Sequence, residues 1–223
     1  MRRSRLFAVL ILSLSILLLA GSALANSSVT LTLTGTGSNN GGGAYTYPYY
    51  FSINGGPSMP LICDTYDNEV IVGEHWTATV SSLLSGNGLF GSNTLDYKAA
   101  GLIFQDMLKG YVNPTVGNWA IWGLFSSNAA GQSYFTTSGA AALDAKYLIS
   151  AATASNSQFN GLVLYVPVPG TQSWGGTPQE YIGCVSVPEP GELSLILSTL
   201  LLGLAAIVLG KRLGLKPVVS LGR

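Results

Sequence analysis

The residues of this chain that could do chemistry are few and close together. Cys63 and Cys184 are its only thiols, and Asp64, Asp67, Glu69, Glu74 and His75 follow Cys63 within twelve residues. Two short segments frame them: Cys63-Asp64-Thr65-Tyr66 with Val70 to Trp76 behind it, and Asn118-Trp119-Ala120-Ile121-Trp122. An even cysteine count in an oxidising compartment points to one disulfide, Cys63–Cys184. Closing so long a loop would stabilise the fold by roughly 4–5 kcal/mol through chain entropy. The clustered carboxylates could hold Ca²⁺ through Asp64, Asp67 and Glu69, or serve as the acid and base of a glycosidase. Their Asp-x-x-Asp-x-Glu rhythm lacks the glycine and ligand order of an EF-hand loop. A solvated turn accounts for them better than either, and His75 beside Trp76 reads as a strand-face residue.

Several chemistries are excluded outright. Residues 26–187 contain one histidine, no arginine and no Gly-x-Ser-x-Gly, so the usual serine-hydrolase layout is absent. The Gly41–Gly43 run lacks the lysine and helix of a phosphate-binding loop, and nothing in the chain calls for a cofactor.

These residues must be positioned by strands and helices in mixed order. Val29 to Thr34 alternates Val-Thr-Leu-Thr-Leu-Thr, the period of a half-buried strand. Tyr45 to Ile53 predicts a second strand with Pro48 at an edge or bulge, and Leu61 to Cys63 continues after a Gly-Gly-Pro turn. Glu69 to Val72 and Trp76 to Val80 predict two more. The period then becomes helical: Leu95, Ala99, Leu102, Ile103 and Met107 share a face, with Asn93 or Thr94 as cap and Gly110 as stop. Asn118 to Phe125 and Gly139 to Ala152 predict two further helices. Leu162 to Val166 and Tyr181 to Val187 return to strand. Strands, helices, then strands predict an α+β domain, β-rich with about three central helices. Trp119, Ile121, Trp122 and Phe125 read as core at helical spacing.

The 223 residues include 28 glycines, 48% hydrophobic residues and only 9% charged ones, with a net charge of +0. So few charges argue against a cytoplasmic enzyme, and the absence of a basic stripe argues against nucleic acid as partner. The neutrality is itself a sum of unlike parts. Residues 26–187 carry eight acids against three bases, a net −5, and the basic residues sit at the two ends.

Residues 1–25 combine Arg2, Arg3 and Arg5, an apolar run from Leu6 to Ala20, and Ala23-Leu24-Ala25. That order is a secretory signal peptide, cut by signal peptidase after Ala25. At the other end, Leu193 to Leu209 is uncharged and would span about 25 Å as a helix, enough to enter the inner membrane. Lys211 and Arg212 follow as the basic stop that keeps the C-terminus cytoplasmic. A signal helix and a transmembrane helix thus flank the exported domain, residues 26–187.

Residues 188–223, with Pro188-Glu189-Pro190 ahead of helix 193–209 and the basic tail, resemble the PEP-CTERM sorting signal of Gram-negative bacteria. The resemblance implies recognition by an exosortase, removal of the helix, and transfer to the cell envelope or exopolysaccharide. The Cys-Asp and Ala-Ile-Trp segments are similar to those of a group of PEP-CTERM proteins and, more distantly, to thioester domains of Gram-positive surface adhesins. In those domains a cysteine thiol condenses with an amide side chain, losing ammonia, and the thioester captures an amine. The resemblance implies Cys63 at the thiol position and Asn118, one methylene shorter than glutamine, at the amide position. The sequence thus predicts a non-enzymatic, exosortase-sorted envelope or matrix protein with a structural or adhesive module. The rivals are an exported polysaccharide hydrolase using carboxylates near Asp64, and a covalent thioester-type adhesin.

Overall fold

In a computed structural model, residues 27–174 and 177–184 are described. The sorting motif, its helix, the basic tail and the signal peptide lie outside the described residues. Among those described, no helix is long and apolar enough to cross a membrane.

The described residues open with β1 (Ser27–Thr36), a small hairpin of β2 (Asn40–Gly41) and β3 (Ala44–Tyr45), then β4 (Tyr49–Ile53), β5 (Ser58–Cys63) and β6 (His75–Ser82). Five helices follow: α1 (Thr94–Leu108), α2 (Pro114–Phe125), α3 (Ser127–Ala130), α4 (Ser133–Thr137) and α5 (Ala140–Thr153). A 3-10 turn at Asn156–Phe159 leads into β7 (Leu162–Pro167) and β8 (Tyr181–Cys184). The strands close in the order β1-β4-β5-β8-β7-β6, every pair antiparallel, with β6 returning to β1. The α+β expectation holds at this level, as a six-stranded barrel with five helices.

Alternation along the strands fills the barrel. Leu31, Leu33, Phe51, Trp76 and Tyr181 are fully buried. The Phe51 ring meets Trp76 and Tyr181 edge to face, with centroids 5.5 and 4.5 Å away. Gly183 is opposite Val163, where an added Cβ would stand 2.6 Å from Leu61 Cδ2 and 2.9 Å from Tyr165 Cε2. A barrel of six strands leaves that position no room for a side chain.

The observed elements differ from the expected ones where local chemistry outweighs period. Glu69 to Val72 is not a strand: Ile71 N–H donates to Glu74 Oε2 at 3.2 Å, and the segment turns back on itself. Tyr45 to Ile53 is interrupted, with Tyr47 and Pro48 between β3 and β4. α2 begins at Pro114, four residues earlier than the aromatic spacing implied. Asn113 Oδ1 caps it by accepting from Thr115 N and Val116 N at 3.0 and 3.2 Å, and Pro114 suits a first helical turn. The short helices α3 and α4 raise the count from the expected three.

Candidate functional site

The ends of β5 and β8 bring Cys63 beside a residue that sequence reasoning missed, Gln179. Cys63 is paired with Tyr181, and the ladder continues past both strands, Asp64 N–H donating to Glu180 O at 3.4 Å. Successive side chains alternate between faces, so Cys63, Tyr181 and Gln179 share the inner face, while Asp64 and Glu180 share the outer one. The Cys63 thiol stands 3.2 Å from Gln179 Oε1 and 3.2 Å from Thr65 O, its proton shared between two acceptors. The Tyr181 hydroxyl donates to the same Gln179 Oε1 at 2.6 Å. Gln179 Nε2 donates to Asn68 O. The carboxamide is therefore held at both ends, with two donors converging on its oxygen.

The electrostatics keep these donors protonated. Burial, reinforced by neighbouring Asp64, pushes the fully buried Cys63 thiol far above its ordinary value. Burial, with Cys63 and Tyr49 nearby, does the same for the Tyr181 hydroxyl. The buried Trp122 indole N–H has no hydrogen-bond partner and lies near the Cys63 sulfur, where it offsets part of the thiol's rise.

Asn118 is also drawn to Cys63, but not to its sulfur. Its Nδ2 donates to the Cys63 backbone O at 2.9 Å and its Oδ1 accepts from Tyr47 N at 2.8 Å. Both ends of the buried amide are thus bonded to backbone, which corrects the pairing of Asn118 with the thiol. The shorter side chain ties α2 to the end of β5. One signal could have pointed to Gln179 instead: it precedes Tyr181 by two, so strand alternation turns it to the same face.

The other expectations for Cys63 and its acids are also redrawn. Cys63 and Cys184 are unbridged. Cys184 lies three residues along β8 from the residue facing Cys63, and an odd offset turns it to the opposite face of the barrel wall. Asp64 is fully buried, and its Oδ2 receives no N–H or hydroxyl; the group facing it is the Glu180 carboxylate. Glu180 in turn accepts from Tyr97 O–H at 2.6 Å and Leu89 N–H at 2.8 Å. Two buried acids in contact need a proton between them. Burial, then the Glu180 charge, raises Asp64 well above the carboxylate range, so Asp64 holds that proton and Glu180 accepts it. Asp67 and Glu69 are exposed, and Asn128 Nδ2 donates to Asp67 Oδ1 at 2.7 Å. Asp64, Asp67 and Glu69 therefore do not converge as a calcium site. Among the described residues no three His, Cys, Asp or Glu side chains could hold a metal ion.

A cleft of about 640 Å³ opens in front of Gln179. One wall is the β2–β3 hairpin, carrying Gly42 and Tyr45; the other is the loop bearing Tyr66, Asp67 and Glu69. The hairpin is pinned by Trp119 Nε1–H, which donates to Gly41 O at 3.0 Å. Gly42, at φ +61°, comes so close that an added Cβ would stand 2.8 Å from Trp119 Cζ2. Tyr66 packs on Trp119 and Trp122, each ring centroid 5.3 Å away. Asp67 and Glu69 both line the cleft from this one loop.

No family model matches the chain, and no curated protein or solved structure matches it.

Proposed function

We propose that the chain is an exported surface or matrix protein, sorted by an exosortase, whose barrel is an adhesive module that forms a Cys63–Gln179 thioester. The carrying observation is the 3.2 Å contact between the Cys63 sulfur and Gln179 Oε1 in a buried pocket. The carbonyl carbon is one bond, about 1.2 Å, from that oxygen. In the condensation the sulfur bonds to Gln179 Cδ, the C–N bond breaks, and the thiol proton leaves on ammonia. No oxidant or cofactor enters the balance. Tyr181 O–H already donates to the oxygen that gains charge in the tetrahedral intermediate, the role of an oxyanion donor. When an amine later attacks the thioester, its nitrogen bonds to Cδ, the C–S bond breaks and the amine proton returns to sulfur. The Trp122 N–H stabilises the departing sulfur.

Exposure supports a division of labour. Cys63 is fully buried, whereas Gln179 is 6% exposed and lines the cleft. An acceptor amine reaches the acyl carbon from the cleft, while the leaving sulfur stays buried behind it. Export rests on the signal peptide, and sorting rests on the PEP-CTERM resemblance. Methylamine treatment of the purified chain followed by peptide mapping tests the reading. It should leave an N-methyl amide on Gln179 and a free thiol at Cys63; an unmodified Gln179 peptide would count against it.

A further inference from the structure

The cleft in front of Gln179 has a composition of its own. Its lining includes Asp67 and Glu69 but no lysine, arginine or histidine. Tyr45, 61% exposed, and Tyr66, backed by the two tryptophans, supply aromatic faces beside those carboxylates. Gln179, whose carbonyl already takes two donors, opens into the same space. Carboxylates and aromatic faces attract the same guest, a cation with an apolar stem. An anionic or sugar-acid ligand would meet like charge here with no cation to offset it.

We propose that this cleft selects an alkylammonium group, Asp67 and Glu69 attracting its charge and Tyr45 and Tyr66 flanking its methylene chain. The inference rests on the thioester reading for its chemical outcome, but the selectivity is a property of the cleft itself. An aliphatic ammonium has a pKa of about 10.4 and is charged at neutral pH, so it is drawn in as a cation. It must lose a proton to solvent before its nitrogen can bond to Gln179 Cδ. The net −5 of residues 26–187 adds a weaker, longer-range attraction.

Two measurements on the full chain separate this proposal from the thioester reading. The first uses Cys63→Ala, which cannot form the thioester, titrated with cadaverine and with pentane-1,5-diol. Cadaverine should bind saturably, the diol should not, and Asp67→Asn with Glu69→Gln should weaken cadaverine about fivefold or more. Equal heats for amine and diol, or unchanged cadaverine binding in the double variant, would overturn the proposal. The second follows adduct formation on the chain with Cys63 intact, comparing cadaverine and N-acetyl-lysine methylamide with hydroxylamine, which is uncharged at pH 7. The double variant should slow both ammonium probes and leave hydroxylamine unaffected; equal slowing of all three would contradict selection by charge. The faster of the two ammonium probes tells whether a peptide lysine or a free diamine fits better. If no adduct forms while the first titration succeeds, the thioester reading fails and the cleft's preference stands.

Discussion

Cys63 Sγ and Gln179 Oε1 stand 3.2 Å apart although 116 residues separate them in the chain. The contact exists because β5 ends where β8 begins and the two are neighbours in the barrel, with Cys63 opposite Tyr181. Around it, each polar group has a distinct role: Tyr181 acts on the carboxamide oxygen, Asn68 on its nitrogen, and Asn118 on the backbone of Cys63.

Asn118 is a structural tie and not the amide partner. Asn118→Ala removes one buried and one half-buried hydrogen bond and leaves the Tyr47 N–H and Cys63 C=O without that partner, which should cost about 2–4 kcal/mol. Chemical denaturation measures that loss. Wherever the variant remains folded, the Gln179 peptide should still react with methylamine.

The Asp64–Glu180 pair makes stability depend on pH. Both groups are raised in the folded state by burial, so the native protein holds their shared proton more tightly than the unfolded chain. That contribution is complete below the unfolded carboxylate value of about 4 and is lost as pH rises through the folded values. The denaturant midpoint should therefore be higher at pH 5 than at pH 8. Asp64→Asn, which keeps a donor toward Glu180 without a titrating proton, should flatten the profile; an unchanged slope would place its origin elsewhere.

Gly183 tests the tightness of the barrel. Gly183→Ala would place a Cβ 2.6 Å from Leu61 Cδ2 and 2.9 Å from the Tyr165 ring, inside a closed wall. Overpacking of this kind should destabilise by about 1–3 kcal/mol, read as a lower midpoint with an unchanged denaturant slope.

Sorting is tested separately from the barrel. In cells possessing an exosortase, Glu189→Ala should block C-terminal processing, visible as a precursor retained in the inner membrane fraction. The exported domain of that precursor should melt as in the parent, because the substitution lies outside the barrel's strands. Normal processing would mean that Pro188-Glu189-Pro190 is not the recognised motif.

What could be read from the residues follows what is local. The alternation of Val29 to Thr34 and the helical spacing of Leu95 to Met107 identify β1 and α1, because burial on one face imposes those periods. Closure of the barrel was not legible: it depends on β1 pairing with both β4 and β6, a choice between distant partners that no local period encodes. The site divides the same way. Cys63 stands out by type and by its motif, whereas Gln179 is an ordinary residue until the β5–β8 register carries it to the thiol. The Asn118 assignment followed a motif, and motif spacing along a helix does not tell whether an amide meets a sulfur or a backbone carbonyl. The acids illustrate a third case: three residues apart, Asp64 and Asp67 part company because one is buried on the outer face of the barrel wall and the other is exposed to solvent.

The most direct test is the intact mass of the full chain, expressed with its signals, exported and purified without added amines. The Cys63–Gln179 account predicts a mass one ammonia below that calculated for the observed termini, absent in Cys63→Ala and Gln179→Ala but retained in Cys184→Ser. A mass equal to the calculated one, or lower by two hydrogens from a disulfide, would contradict it.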